Sequence, residues 1–265
     1  MEHAFDRDYW NQHWQRDDLP PAPVSSPPDR WASTNALPAH PVLERMKDLV
    51  PGAVLDVGCG AGVEARWLAA HDWRVIGVDI SAGALARAAQ GAQALEPSRR
   101  PDWVEADALS FTPGQTFDLV TTFYAHPTIA QLDFYEHIAQ WVVPGGTLLI
   151  VGHLAHGEAQ HHGKAQHRGE AQHHGGALGH DHGTGRGHPR DGQGEDREPP
   201  VEATATAAAI TARFPSPAWE VVFSEEAPRV VSMPHGGQRE LQDVVVRLRR
   251  AASTPIPSAP SGGSA

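Results

Sequence analysis

The stretch VLDVGCGAG, Val54 to Gly62, followed by the apolar run Val75-Ile76-Gly77-Val78-Asp79, decides how this chain is read. Small and branched apolar residues at Val54 to Val57 predict a buried strand. It runs into a tight turn at Gly58, Gly60 and Gly62, where missing side chains let the backbone fold sharply and a ligand lie against it. A helix opens at Val63, and its N-terminus offers free N–H groups to a carboxylate or phosphate. About twenty residues after the turn, a second strand ends in Asp79. A carboxylate at that spacing suits the two ribose hydroxyls of a nucleoside cofactor.

Two cofactor classes use such a turn. The dinucleotide fingerprint G-x-G-x-x-G requires its third glycine where Val63 stands, and here that glycine arrives one residue early, at Gly62. Asp56 lies two residues before Gly58. A carboxylate there attracts an ammonium and repels a pyrophosphate. The pattern D-x-G-x-G-x-G with a later acid resembles motifs I and II of the class I S-adenosylmethionine-dependent methyltransferases, over roughly residues 37–151 and the last strands.

The resemblance implies a Rossmann-like α/β fold: a seven-stranded, mostly parallel sheet with helices on both faces. It implies S-adenosylmethionine as cofactor. Gly58, Cys59, Gly60 and Gly62 would line the methionine part, with Asp56 near its ammonium. Asp79 would take the ribose hydroxyls and Ile80 would pack on the adenine. Asp107, with Ala108 beside it, would meet the adenine amino group, and Thr121 and Thr122 would pass beneath the cofactor. Read from the residues alone, Cys59 is a small filler of the turn and Asp79 also fits a helix-capping acid.

The acceptor side follows the fourth strand, at Thr122-Phe123-Tyr124-Ala125-His126-Pro127. The Asn/Asp-Pro-Pro-Tyr/Phe run of many methyltransferases acting on exocyclic amines of bases or on glutamine is absent. His126 stands where a general base for a hydroxyl or thiol would sit, and Tyr124 where a ring could stack on a substrate. Each also fits a structural loop residue. Phe5, Tyr9, Trp10 and Trp14 share one helical face, which suits a core cap or a lid over the site. This aromatic front end, with Trp31 and Asn35 in the proline-rich strap behind it, resembles the tellurite-resistance and thiopurine branch. That likeness implies a small-molecule acceptor, with a metalloid or a thiol among the candidates.

The pattern predicts strands at 53–57, 74–79, 102–105, 117–122 and 147–152. Helices are expected at 41–49, 63–70, from Ser81 to about Leu95, and at 129–142. Strands alternating with helices mean a parallel sheet with right-handed crossovers. The repeat HGEAQH, HGKAQH, RGEAQH then breaks the pattern, and residues 153–188 hold ten of the 17 histidines. This composition predicts a disordered insertion at 153–200. Order is expected to return near Val201, with a helix to Phe214, strands at 219–224 and 241–248, and a short strand at 230–232. The domain reading is therefore a lid and strap over 1–40, a core over 41–152, the insertion, closing elements over 201–250 and a tail over 251–265.

The balance of 32 acidic against 21 basic residues gives a net charge of -11, which argues against a nucleic-acid partner. One cysteine excludes an intrachain disulfide and suits a reducing compartment. No run of about 18 apolar residues or signal-peptide core is present, so a cytoplasmic protein without a membrane span is expected. His161, His162, His173, His174, His180 and His182 could bind a divalent metal, which methyl transfer would not require. A metal-sensing protein on a non-catalytic cofactor-binding core and a nicotinamide oxidoreductase are the competing readings.

Overall fold

The computed structural model describes residues 5–14, 39–154, 204–232 and 238–252. Among them α1 spans Arg7–Trp14, and a 3-10 segment, Pro41–Met46, leads into β1 (Ala53–Val57). Then follow α2 (Val63–Ala70), β2 (Arg74–Asp79), α3 (Ala82–Gly91), β3 (Asp102–Glu105), β4 (Phe117–Phe123), α4 (Gln131–Ala139) and β5 (Val142–His153). After the His-rich segment come α5 (Ala207–Ala212), β6 (Trp219–Ser232) and β7 (Gln238–Arg250). They build one seven-stranded sheet in the order β3-β2-β1-β4-β5-β7-β6. Its first five members are parallel, while β7 runs antiparallel to both β5 and β6.

Side-chain alternation divides the core into two layers. On β5, Leu148 and Ile150 join Leu55, Val120 and Val246 under α4 and α5. Leu149 and Val151 join Val54, Leu119 and Val245 under α2 and the 41–46 segment. Strands covered on both faces read as continuous apolar runs, which is why the central strands were so visible in the sequence. Each helix start has a local cause. The Ser81 hydroxyl caps α3 by accepting from the Ala84 N–H at 3.3 Å, and Thr206 caps α5 through Ala209 at 3.1 Å.

Several expected boundaries shift. The helix after Ser81 stops at Gly91 and continues only as short 3-10 turns at 92–94 and 97–99. The Arg66 guanidinium lies where a Cβ at Gly91 would stand, so a larger residue there would displace it. Residues 41–46 form a 3-10 helix in place of the expected α-helix to Leu49. Helix α4 is shorter than the expected 129–142. β5 begins at Val142 and runs through Pro144-Gly145-Gly146, absorbing them as a register shift against β4, with Gly145 at φ +83°. The short strand expected at 230–232 is the continuation of β6, paired with β7 out to Ser232 and Gln238. Arg247 is buried and forms a two-pronged ion pair with Asp48 at 2.9 and 3.0 Å, tying β7 to the segment before β1. The predicted insertion, apart from His153 and Leu154, lies outside the described residues, as do the six arm histidines. No helix among the described residues is long and apolar enough to cross a membrane.

One acid lies inside the sheet. Asp56 on β1 is 1% exposed, and its Oδ1 accepts from the Thr121 hydroxyl on neighbouring β4 at 2.8 Å. Burial first, then the nearby Glu64 and Asp79 charges, push its carboxyl up to about 8, against the pull of Thr121. The folded protein therefore keeps a proton that the unfolded chain releases above its ordinary 3.8. The associated stability is complete below that value and is lost as pH rises toward 8.

Two outcomes follow from this packing. Leu148→Ala removes a fully buried side chain between β4 and β7 and is expected to lower stability by about 2–5 kcal/mol in urea unfolding. Asp56→Asn keeps the Thr121 hydrogen bond without a titrating proton. In urea unfolding of the cofactor-free protein from about pH 5 to about pH 8, wild type should lose stability relative to the variant. Parallel pH profiles for the two proteins would contradict the proton bound at Asp56.

Candidate active site

The carboxyl ends of β1, β2 and β4 open on a cavity of about 370 Å³. It lies where strand order reverses, because β1 has β2 on one side and β4 on the other. Gly58, Gly60 and Gly62 all have left-handed φ values, between +52° and +70°. A Cβ on Gly58 would stand 2.5 Å from the Ala125 Cβ, so β4's following loop presses directly on bare backbone. The N–H groups of Gly58 and Cys59 donate to the Val78 carbonyl at 2.8 and 3.1 Å, stitching the turn to β2. Trp103 of β3 packs behind Gly62 and Gly77, filling space that side chains there would need.

Asp79 ends β2 at the cavity wall. Its Oδ2 accepts from Gly60 N–H at 2.8 Å and its Oδ1 from Ser81 N–H at 2.9 Å. Each oxygen keeps a further lone pair, so the carboxylate both fastens the loops and can receive hydroxyls. Burial raises its pKa, opposed by these N–H groups. Asp107 also lines the cavity, with Oδ1 accepting from Leu109 N–H at 2.9 Å.

Of the site residues expected from sequence, Gly58, Cys59, Gly60, Asp79, Ile80, Asp107, Ala108, Tyr124 and His126 line the cavity. Asp56, Gly62 and Thr122 stand outside its wall. Asp56 and Thr122 are sealed in the sheet, 1% exposed each, and Asp56 Oδ2 and Thr122 Oγ1 have no partner among the described residues. Gly62 caps α2. The Cys59 thiol is buried and pushed up by that burial and by the Asp56 and Asp79 charges, which makes it inert. Among the described residues no group of three or more His, Cys, Asp or Glu could hold a metal.

The opposite side of the cavity is built by residues far apart in sequence. Tyr124, just past β4, takes the left-handed φ of +53°, an uncommon conformation for a large side chain. Its hydroxyl receives Arg229 Nη2 at 2.7 Å, and Arg229 Nε donates to Asp243 Oδ2 at 2.5 Å. The same Oδ2 meets His40 Nε2 at 3.2 Å. Because His40 Nδ1 accepts from Val42 N–H, Nε2 is the nitrogen that donates to Asp243. The backbone N–H of His40 reaches Glu64 Oε1 at 3.3 Å on the cavity wall.

His126 sits in a stack of rings. Its centroid is 5.3 Å from Phe5, 6.3 Å from Trp10 and 5.3 Å from His153. Burial first, then His153, push its imidazole down to about 4, so it is neutral at pH 7. Helix α1 carries Trp10 and Trp14, which with Phe5 line the cavity. It is fastened by Arg7 to the Ile80 carbonyl at 3.0 Å and to Glu105 at 2.5 Å, and by Asn11 to Ser81 at 2.9 Å.

Sequence reading found the glycine turn, the cavity acids Asp79 and Asp107, and the aromatic helix. It missed His40, Glu64, Arg229 and Asp243. Glu64 alone carried a local signal, as an acid in the first turn of the helix behind the glycines. The other three converge only when β6 and β7 fold back beside β5.

Residues 54–146 match the model of a family described as methyltransferase domain. Trans-aconitate 2-methyltransferase of Streptomyces avermitilis is 34% identical over 128 residues, 45% of this chain and 46% of that protein. The match thus spans about half the length of that curated relative. A solved structure described as "Conversion of a Disulfide Bond into a Thioacetal Group during Echinomycin Biosynthesis" matches with a TM-score of 0.58 at 20% identity, covering 95% of this chain and 92% of that one. The N-methyltransferase NodS from Bradyrhizobium japonicum WM9, in complex with S-adenosyl-L-homocysteine, matches with a TM-score of 0.53 at 14% identity, covering 92% and 97%. Those two likenesses are of fold. The domain match over residues 54–146, the D-x-G-x-G-x-G turn and the acid closing β2 are together similar to those of the class I S-adenosylmethionine-dependent methyltransferases.

Proposed function

We propose that this protein transfers a methyl group from S-adenosylmethionine to a small-molecule acceptor. The observation that carries the reading is the cavity wall at the ends of β1, β2 and β3. There the bare backbone of Gly58 and Gly60 faces the same space as the Asp79 and Asp107 carboxylates. Bare backbone at Gly58 and Gly60 suits a close-lying ligand, and the acids suit hydroxyls, amines and positive charge. In this reading Asp79 holds the ribose hydroxyls, Ile80 and Ala108 flank the base, Asp107 meets its amino group, and Gly58 to Gly60 line the methionine part. Asp56, beneath the turn, keeps its proton in the cofactor-free protein and acts on the ammonium once that proton is released. When bound, the cofactor supplies a methyl carbon already activated by its sulfonium, so the protein's task is to orient two reactants and exclude water.

Helix α1 does the excluding, with Phe5, Trp10 and Trp14 over the cavity. His126 provides the ring against which Phe5 and Trp10 rest, and its neutral imidazole is too weak a base to draw a proton strongly near pH 7. Tyr124 orients the acceptor through its hydroxyl. A thiol or metalloid acceptor, the finer reading, is supported by the aromatic front end alone. The metal-sensing alternative rests on histidines outside the described residues.

Calorimetry tests the proposal. S-adenosylhomocysteine should bind and NAD should not, and Asp79→Ala should weaken S-adenosylhomocysteine by roughly 1–3 kcal/mol, the scale of lost charged hydrogen bonds. NAD binding without S-adenosylhomocysteine binding would overturn the assignment.

A further inference from the structure

We propose that Arg229, held by Asp243 and the Tyr124 hydroxyl, is the anchoring site for a carboxylate of the acceptor. The inference rests on reading the cavity as a methyl-transfer site and adds the chemical class of the molecule that receives the methyl.

The cavity is polarised along the sheet. Asp79 and Asp107 stand at the β2 and β3 ends. The order β3-β2-β1-β4-β5-β7-β6 puts β6, which carries Arg229, at the far edge. Among the described residues lining the cavity, Arg229 is the only Arg or Lys. Glu64 also lines the wall, where it accepts the His40 N–H at 3.3 Å, so Asp79 and Asp107 mark the β2–β3 side of the cavity and the guanidinium marks the β6 side.

Arg229 is aimed before any ligand arrives. Nε is fixed by Asp243, Nη2 by Tyr124, and the guanidinium carbon lies 5.6 Å from the centre of the Tyr124 ring. These contacts use two of its five N–H donors, leaving a planar fork on a side chain 18% exposed. A carboxylate matches that fork with two parallel hydrogen bonds, which a neutral thiol or amine does not. Asp243 does not fill this role for the ligand. It is 3% exposed, and its Oδ2 is shared between Arg229 and His40. The pair orients the fork, and burial in the protein has already stripped much of its water.

The surrounding groups favour an acceptor that arrives ionised. The Tyr124 hydroxyl is pushed up by burial and by Asp243, and the His126 imidazole is pushed down by burial and by His153. Neither draws a proton well at neutral pH. A carboxylate, with an ordinary pKa near 4, has no proton to lose.

The test is a binding measurement on the full-length protein saturated with S-adenosylhomocysteine, read by calorimetry and by tryptophan fluorescence, since Trp10 and Trp14 line the cavity. The probes are trans-aconitate and succinate against their uncharged methyl esters. The acids should bind at least about tenfold more tightly than the esters. Arg229→Met should remove that preference while S-adenosylhomocysteine and ester affinities hold. Arg229→Lys, which keeps the charge without the fork, should lose part of it and serves where the Met variant is unstable. Equal affinity for acid and ester, an unchanged acid affinity in Arg229→Met, or no acid binding in a protein that binds S-adenosylhomocysteine overturns the proposal. Binding of the acids to protein that fails to bind S-adenosylhomocysteine would support the anchor and remove the methyl-transfer reading instead.

Discussion

Gly58, Gly60 and Gly62, all with left-handed φ, form the constraint on which the rest of this structure depends. Side chains there would be strained by conformation and would collide with Ala125 or Trp103 at Gly58 and Gly62. Because they are absent, three separate elements close on one turn. Val78 of β2 accepts both turn N–H groups, Asp79 holds Gly60, and Trp103 of β3 fills the space behind. The loop after β4 then presses on Gly58 from the other side. The cavity exists because these contacts meet at a turn that occupies almost no volume.

The other half of the cavity is held by polar contacts of high sequence separation. His40, Asp243, Arg229 and Tyr124 form a chain from the segment before β1 to the two closing strands. Asp243 and His40 are nearly dehydrated, so losing one partner would leave the other buried and unsatisfied. The same chain offsets the conformational cost of Tyr124, of order 1–3 kcal/mol for a residue in this region. A strained residue held this way sits at a fixed place, which is what an orienting group requires.

The strands β1, β2, β4 and β5 were legible because parallel strands buried on both faces leave uninterrupted apolar runs. The glycine turn was legible because few other residues tolerate its dihedral angles. Boundaries were less legible. The chain after Gly91 tightens into a 3-10 turn instead of continuing α3, and Pro144 to Gly146 remain in β5 because β4 shifts register to accommodate them. Residues 230–232 looked like a separate strand because Glu225-Glu226-Ala227-Pro228 interrupts the apolar run, and only pairing with β7 reveals one continuous element.

Residues close in sequence determine the glycine-turn half of the cavity. Val54 to Gly62 and Val75 to Asp79 carry their own dihedral preferences, hydrophobic periods and acids, so their arrangement follows from local physics. The opposite half was decided by tertiary structure. His40, Arg229 and Asp243 lie up to 203 residues apart and have no local pattern that marks them, while Tyr124, legible in the loop after β4, gains its partners only from them. They meet because β7 pairs antiparallel with β5 and carries β6 beside it. That register brings a buried acid under an arginine and aims the arginine at the cavity.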